Sequence, residues 1–160
     1  MNRDIAQARK IYVDANIIIY FLEGDVERQE KTAELFQYAE ENGIALMTSE
    51  IAVAECLYGA HKSAKPLAAE DYLELFHEVG MFLLIPVERE ISERAAKIGA
   101  ENGLKLIDAI HVTSALNVGC PVFVTNDRGI RSAEGLIVVQ LIDVKLVIPS
   151  EERDLSRDGI

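Results

Sequence analysis

The chain has 160 residues, and with 49% of them apolar it is long enough to bury one core without disulfides or a structural metal. Its two cysteines, Cys56 and Cys120, stand in no metal-ligand spacing and are too few for a secreted disulfide framework, so they read as small buried apolar residues. A net charge of −11 weighs against long-range capture of nucleic acid, unless acids converge on a site where bound cations invert the local field.

Residues 1–10 are polar and mixed in charge, and offer nothing to pack. From Ile11 a β-branched and aromatic run predicts a buried strand, and Asp14 is the only charge between Ile11 and Leu22. Ala15 to Phe21 predicts a short helix ending near Gly24, which either Asp14 or Asn16 can cap. Taken alone, Asp14 reads as a cap. Asp25 then caps a helix over 26–41, with Ala33, Leu35, Phe36 and Ala39 at helical spacing, and Asn42-Gly43 stops it.

A second strand, Ile44 to Thr48, is followed by Ser49 as cap of a helix reaching Gly59 or Ala60. On that helix Ile51, Ala54, Glu55 and Tyr58 share one stripe, which puts a carboxylate on the expected buried face. A buried carboxylate must be paired, metal-bound or at a cleft edge. Glu50, by contrast, suits the first-turn helix dipole. Pro66 opens a fourth helix through Val79, Met81 to Val87 supplies a strand, and Glu88 to Gly103 forms a helix with Ile91, Ala95, Ile98 and Ala100 inward. A sixth helix, Leu104 to Leu116, carries Asp108 in its first turn and His111 one turn on. Pro121 to Thr125 is a strand followed at once by Asn126-Asp127, so Asp127 repeats the Asp14 arrangement. Leu136 to Ile142 forms the last strand, and the charged residues 150–160 read as a disordered tail after a single domain over 1–149.

Alternating strands and helices predict a three-layer α/β/α sandwich around a mostly parallel sheet of about five strands. Ligands of such sheets bind beyond the carboxyl ends of the strands, where strand order reverses. Asp14 and Asp127 leave strands at that edge, and Glu55 and Asp108 lie on helices that can reach it. At an effective dielectric of about 20, two carboxylates about 5 Å apart repel by roughly 3 kcal/mol, so such a cluster calls for raised pKa values or a cation. All-oxygen donors suit Mg²⁺ or Mn²⁺, and such ions serve phosphodiester hydrolysis.

Four segments carry a family resemblance: Val-Asp-Ala-Asn, Thr-Ser-Glu-Ile-Ala-Val-Ala-Glu-Cys, Leu-Ile-Asp-Ala-Ile-His and Val-Phe-Val-Thr-Asn-Asp. Together, over about residues 11–142, they resemble a PIN domain of the VapC toxin type. The resemblance implies a Mg²⁺- or Mn²⁺-dependent endoribonuclease in which Asp14, Asp108 and Asp127 hold metal. It also implies that Glu55 completes the quartet, that Thr125 orients a ligand or water, and that cleavage leaves a 5′-phosphate and a 3′-hydroxyl. A homodimer neutralised by a small antitoxin is implied as well. Two other readings stand beside it: a non-catalytic PIN-like scaffold, or a PIN nuclease of RNA processing or DNA repair.

Other residues are read from their context. Asn16 caps the first helix and steadies Asp14. Arg128 and Arg131, close after Asp127, are candidates for contact with a substrate phosphate, and Lys105 is a weaker one. His111 reads as a hydrogen-bonded structural histidine rather than a general base, since metal-activated water needs none. His61 and His77 have no motif around them. Tyr12, Phe36, Tyr38, Tyr58, Tyr72 and Phe76 read as core, with a groove between the second and fourth helices as a hypothetical partner site. No run is long enough for a transmembrane helix and none resembles a signal peptide, which predicts a cytoplasmic protein.

Overall fold

The computed structural model describes residues 3–131 and 135–145. The expected tail over 150–160 lies outside the described residues.

Strands covered on both faces must be apolar at consecutive positions, and the sequence supplies five apolar segments, of which the two edge strands leave Leu83 and Ile137 exposed. They are β1 (Lys10–Val13), β2 (Ala45–Ser49), β3 (Phe82–Ile85), β4 (Val122–Thr125) and β5 (Ile137–Gln140), all parallel, in the order β3-β2-β1-β4-β5. The expected mostly parallel sheet is therefore wholly parallel. Successive side chains alternate between two cores. Ile11, Val13, Val122 and Val124 join one, and Tyr12 and Phe123 join the other.

The first core is covered by α2 (Ala15–Glu23), α3 (Val26–Glu41), α4 (Glu50–Lys62) and α5 (Pro66–His77). The second lies under α6 (Arg89–Asn102) and α7 (Leu106–Asn117). Helix starts follow local chemistry: Asp14 accepts from the Ala15 N–H, Asp25 from Arg28 and Ser49 from Ile51, while Pro66 opens α5. Gly103, at φ 65°, ends α6 in the left-handed conformation that glycine adopts without strain. Where α6 meets α7, Gly99 lies so close that a Cβ there would come within 3.0 Å of the Ala109 methyl. That close packing seats the first turn of α7.

Several expectations are corrected. The N-terminal segment does pack from residue 3 on: α1 (Arg3–Gln7) inserts a fully buried Ile5, and Ala8 follows it into the first core. On α4 the buried stripe is Ala52, Cys56 and Ala60, one position beyond the expected one, and Tyr58 is 67% exposed. Small residues lie inward there because α4 also packs on α2 and α5. On α6 Gly99, not Ala100, faces inward. The last strand stops at Gln140, and Leu141–Asp143 turn into a 3-10 helix.

Phe36 and Phe76 are buried against Phe82, with ring centroids 5.4 and 6.1 Å away, so they are committed to the core. Tyr12 and Tyr72 are likewise fully buried, and so are the two cysteines, whose thiols burial pushes up in pKa, Cys120 to about 11. No helix among the described residues is long and apolar enough to cross a membrane.

Candidate active site

Strand order reverses between β1 and β4, because the chain runs from β1 outward to β2 and β3 and later returns to place β4 on the other side of β1. Asp14 follows β1 directly, and its N–H donates to the Val124 carbonyl at 3.0 Å, which holds the residue level with the end of β4. Val13 pairs with Val124, so Thr125 stands beside Asp14. Asp14 is 4% exposed.

Three groups hold its carboxylate. Oδ1 accepts from the Ala15 N–H at 2.8 Å, and Oδ2 accepts from Thr125 Oγ1 at 2.7 Å and Asn16 Nδ2 at 3.2 Å. The Thr125 hydroxyl thus donates to Asp14 while accepting from the Asp127 N–H at 3.0 Å and Asn16 Nδ2 at 3.3 Å, which uses all its hydrogen-bonding capacity. Asn16 Oδ1 accepts the Asn126 N–H at 3.2 Å. One hydroxyl and one amide therefore tie the exits of β1 and β4 into a single unit. Replacing Thr125 by Val, which keeps the shape, leaves buried acceptor and donor groups unmatched. Urea denaturation should show a loss of about 1–3 kcal/mol.

The half-buried Asp127 accepts the Gly129 N–H on its Oδ1 at 2.8 Å. Glu55 projects from α4 with 36% of its side chain exposed, at the rim rather than in the core, which is one of the three situations its charge allows. Its Oε1 meets His111 Nε2 at 2.5 Å, and the same nitrogen lies 3.6 Å from Asp14 Oδ1. His111 Nδ1 lies 2.6 Å from the Tyr12 hydroxyl. All three groups are satisfied when Tyr12 donates to Nδ1 and Nε2–H donates to Glu55. His111 is thus hydrogen-bonded, as expected, but its place between two of the acids was not foreseen. The available signal was Tyr12 itself, whose hydroxyl needs a partner when it alternates with Ile11 and Val13 in a buried strand.

Asp108 is half-buried in the first turn of α7. Burial raises its pKa, and the charges of Asp127, Asp14 and Glu55 push it further while His111 opposes them. Asp14 is also raised, chiefly by burial, with His111, Thr125 and the Ala15 N–H acting against it. All four acids therefore share one electrostatic neighbourhood, although among the described residues no three His, Cys, Asp or Glu side chains are gathered closely enough to hold a metal ion as they stand. Their donor chemistry, carboxylate oxygens only, fits a hard divalent cation. An ion would offset both the burial and the neighbouring charges that raise Asp108.

The raised value has a testable sign. Below about pH 3.8, the ordinary carboxyl value, Asp108 is protonated folded or unfolded and makes no difference; stability is lost as pH rises through its higher native value. In chelator, Asp108→Asn should therefore melt above the wild type at pH 7, and the gap should close toward pH 4. A gap that widens in acid contradicts the assignment.

A sequence profile of the PIN domain family matches residues 11–136. The chain belongs to the PIN domain family. Among solved structures it is similar to VapBC2 from Rickettsia felis bound to a promoter DNA fragment, with TM-score 0.65, 18% identity, and 82% of this chain and 98% of the other covered. It is similar also to DNA-bound VapBC from Salmonella typhimurium, with TM-score 0.63, 22% identity, and 82% and 98% covered. The sarcin-ricin loop cleaving toxin VapC20 of Mycobacterium tuberculosis gives TM-score 0.59 and 15% identity, with 71% and 86% covered. Among curated protein sequences the chain has no match.

The remaining sequence candidates lie outside the acidic group. Arg128 and Arg131 are exposed beside a hollow lined also by Gln140 and Asp143. Lys105 precedes α7 without capping it through its side chain, and His61 and His77 are exposed.

Proposed function

We propose that this PIN domain is a divalent-metal-dependent endoribonuclease of the VapC toxin type, held in check by a small antitoxin. The observation that carries the reading is the position of the acids: Asp14 and Asp127 leave the two strands that flank the reversal of the sheet, and the charge of each raises Asp108. The neighbouring solved structures, several of them toxin complexes with an antitoxin, support the same class. A homodimer and a cytoplasmic setting belong to this proposal.

Asp14, Asp108 and Asp127 would hold Mg²⁺ or Mn²⁺, with Glu55 completing the set directly or through water. When bound, such an ion lowers the pKa of water and stabilises charge on the phosphate. The protein's own contribution is preorganisation. Thr125 and Asn16 fix the Asp14 carboxylate, and the backbone of Gly129 aims Asp127. His111, locked by Tyr12, keeps Glu55 at the rim in place of solvent-exposed rotamers.

Purified protein incubated with a set of RNAs should cut at least one in Mg²⁺ or Mn²⁺ and none in chelator, leaving 5′-phosphate ends. Titration with Mn²⁺ should raise the melting temperature. A protein that Mn²⁺ does not stabilise and that leaves every RNA intact is a non-catalytic module instead.

A further inference from the structure

We propose that a furrow leading away from Asp127 binds the phosphates of single-stranded RNA through Arg28, Lys31, Arg128 and Arg131; this rests on the nuclease reading and assigns that site its substrate track. Two hollows of about 330 and 480 Å³ share Arg128 and Ile142 and so adjoin. Each is on the scale of a site for one small ligand, room for about one nucleotide of a strand.

The charge along this furrow departs from that of the chain. The protein has 16 Lys and Arg against 27 Asp and Glu, whereas the two hollows are lined by four cations, Arg28, Lys31, Arg128 and Arg131, and three acids, Asp25, Glu27 and Asp143. Two of those acids are already engaged with α3. Asp25 caps it, accepting the Arg28 N–H at 2.9 Å, and Glu27 sits in its first turn, where the helix dipole attracts it. Asp25 Oδ2 also lies 3.8 Å from Arg28 Nη1, but this pair is exposed and a guanidinium has five donors, so Arg28 keeps N–H groups for a ligand.

The placement of the cations is built rather than incidental. The Arg28 guanidinium stands 4.7 Å above the Tyr20 ring, which orients its plane, and the Tyr20 hydroxyl accepts from Asn126 Nδ2 at 2.9 Å. Asn126 precedes Asp127, so α3 is tied to the acidic site through one aromatic ring. The Lys31 ammonium donates to the Ile142 carbonyl at 2.8 Å, which draws the 3-10 helix and the N-terminal half of α3 together as the furrow's walls. At the acidic end Gln140 Nε2 donates to the Asp127 carbonyl at 3.1 Å. A strand with one phosphate at the carboxylates thus has cations along its continuation and a guanidinium plane on which a base can stack.

The test uses the full chain carrying Asp14→Asn, so that binding is measured without cleavage, and a labelled single-stranded RNA of about 12 nucleotides as probe. Arg28→Gln and Arg128→Gln together should weaken binding about tenfold and lower the salt slope by about 0.7 for each phosphate contact removed. Arg128→Lys, which keeps the charge, should bind more tightly than Arg128→Gln, and Arg94→Gln on α6, which lines neither hollow, should change nothing. Unchanged affinity and slope in the furrow variants overturn the proposal, as does displacement of the variants' phenotype onto an acidic peptide with no effect on RNA. Failure here while the wild type still cuts RNA leaves the nuclease reading intact. Furrow-dependent binding without any cleavage by the wild type sinks the nuclease reading alone.

Discussion

Asp14→Asn abolishes RNA cleavage, lowering the rate by about 10³-fold or more, and leaves a protein that folds. The substitution removes a charge that burial makes costly, and Asn retains one oxygen to accept from the Ala15 N–H or from Thr125. These effects oppose each other, so unfolding free energy in chelator should stay within about 1 kcal/mol of the wild type. Metal response separates a ligand from a structural cap. At Mn²⁺ a hundredfold above its dissociation constant, the wild type should gain about 2.7 kcal/mol of stability and the variant nothing. A variant that still cuts RNA, or that is stabilised by Mn²⁺ as the wild type is, shows that Asp14 merely caps α2.

His111→Ala is expected to be the most destabilising single substitution in the site. The imidazole is wholly buried, meets Tyr12 edge-on with centroids 5.7 Å apart, and Tyr12 in turn stacks on Phe123 at 5.0 Å. Removing it opens a cavity and strips the Tyr12 hydroxyl of its partner, together costing about 3 kcal/mol and lowering the melting temperature by about 10 °C. Tyr12→Phe, which deletes only the hydroxyl, should cost about 1 kcal/mol. Because Glu55 loses its anchor, cleavage by the His111 variant at a temperature where it is folded should fall about 10- to 100-fold. Wild-type activity at full occupancy of the fold would mean that Glu55 needs no support from below.

Much of this arrangement is legible in local sequence. The strand segments are apolar enough to be read directly, the caps Asp25 and Ser49 mark their helices, and Asp14 and Asp127 announce themselves as charges at the ends of β-branched runs. Legibility failed where the pattern was dilute. On α4 the residues Ala52, Cys56 and Ala60 are too small to stand out against Ile51 and Tyr58, so the wrong stripe carried the larger hydrophobic signal. Ile5 was missed because a lone apolar residue among charges has no period. The furrow was half-visible: Arg128 and Arg131 drew notice by their nearness to Asp127, whereas Arg28 and Lys31, about 100 residues earlier in the chain, could not.

Sequence alone determined that strands alternate with helices and that acids sit at their junctions, because hydrophobic period and end-capping act within a few residues. Tertiary structure decided which junctions meet. Only the order β3-β2-β1-β4-β5 sets β4 against β1 and lets Thr125 reach Asp14 across 111 positions, and only the docking of α7 on the sheet lets His111 reach Tyr12 across 99. A hydrogen bond needs its partners within about 3 Å, and no periodicity along the chain encodes a distance between segments that become neighbours by docking.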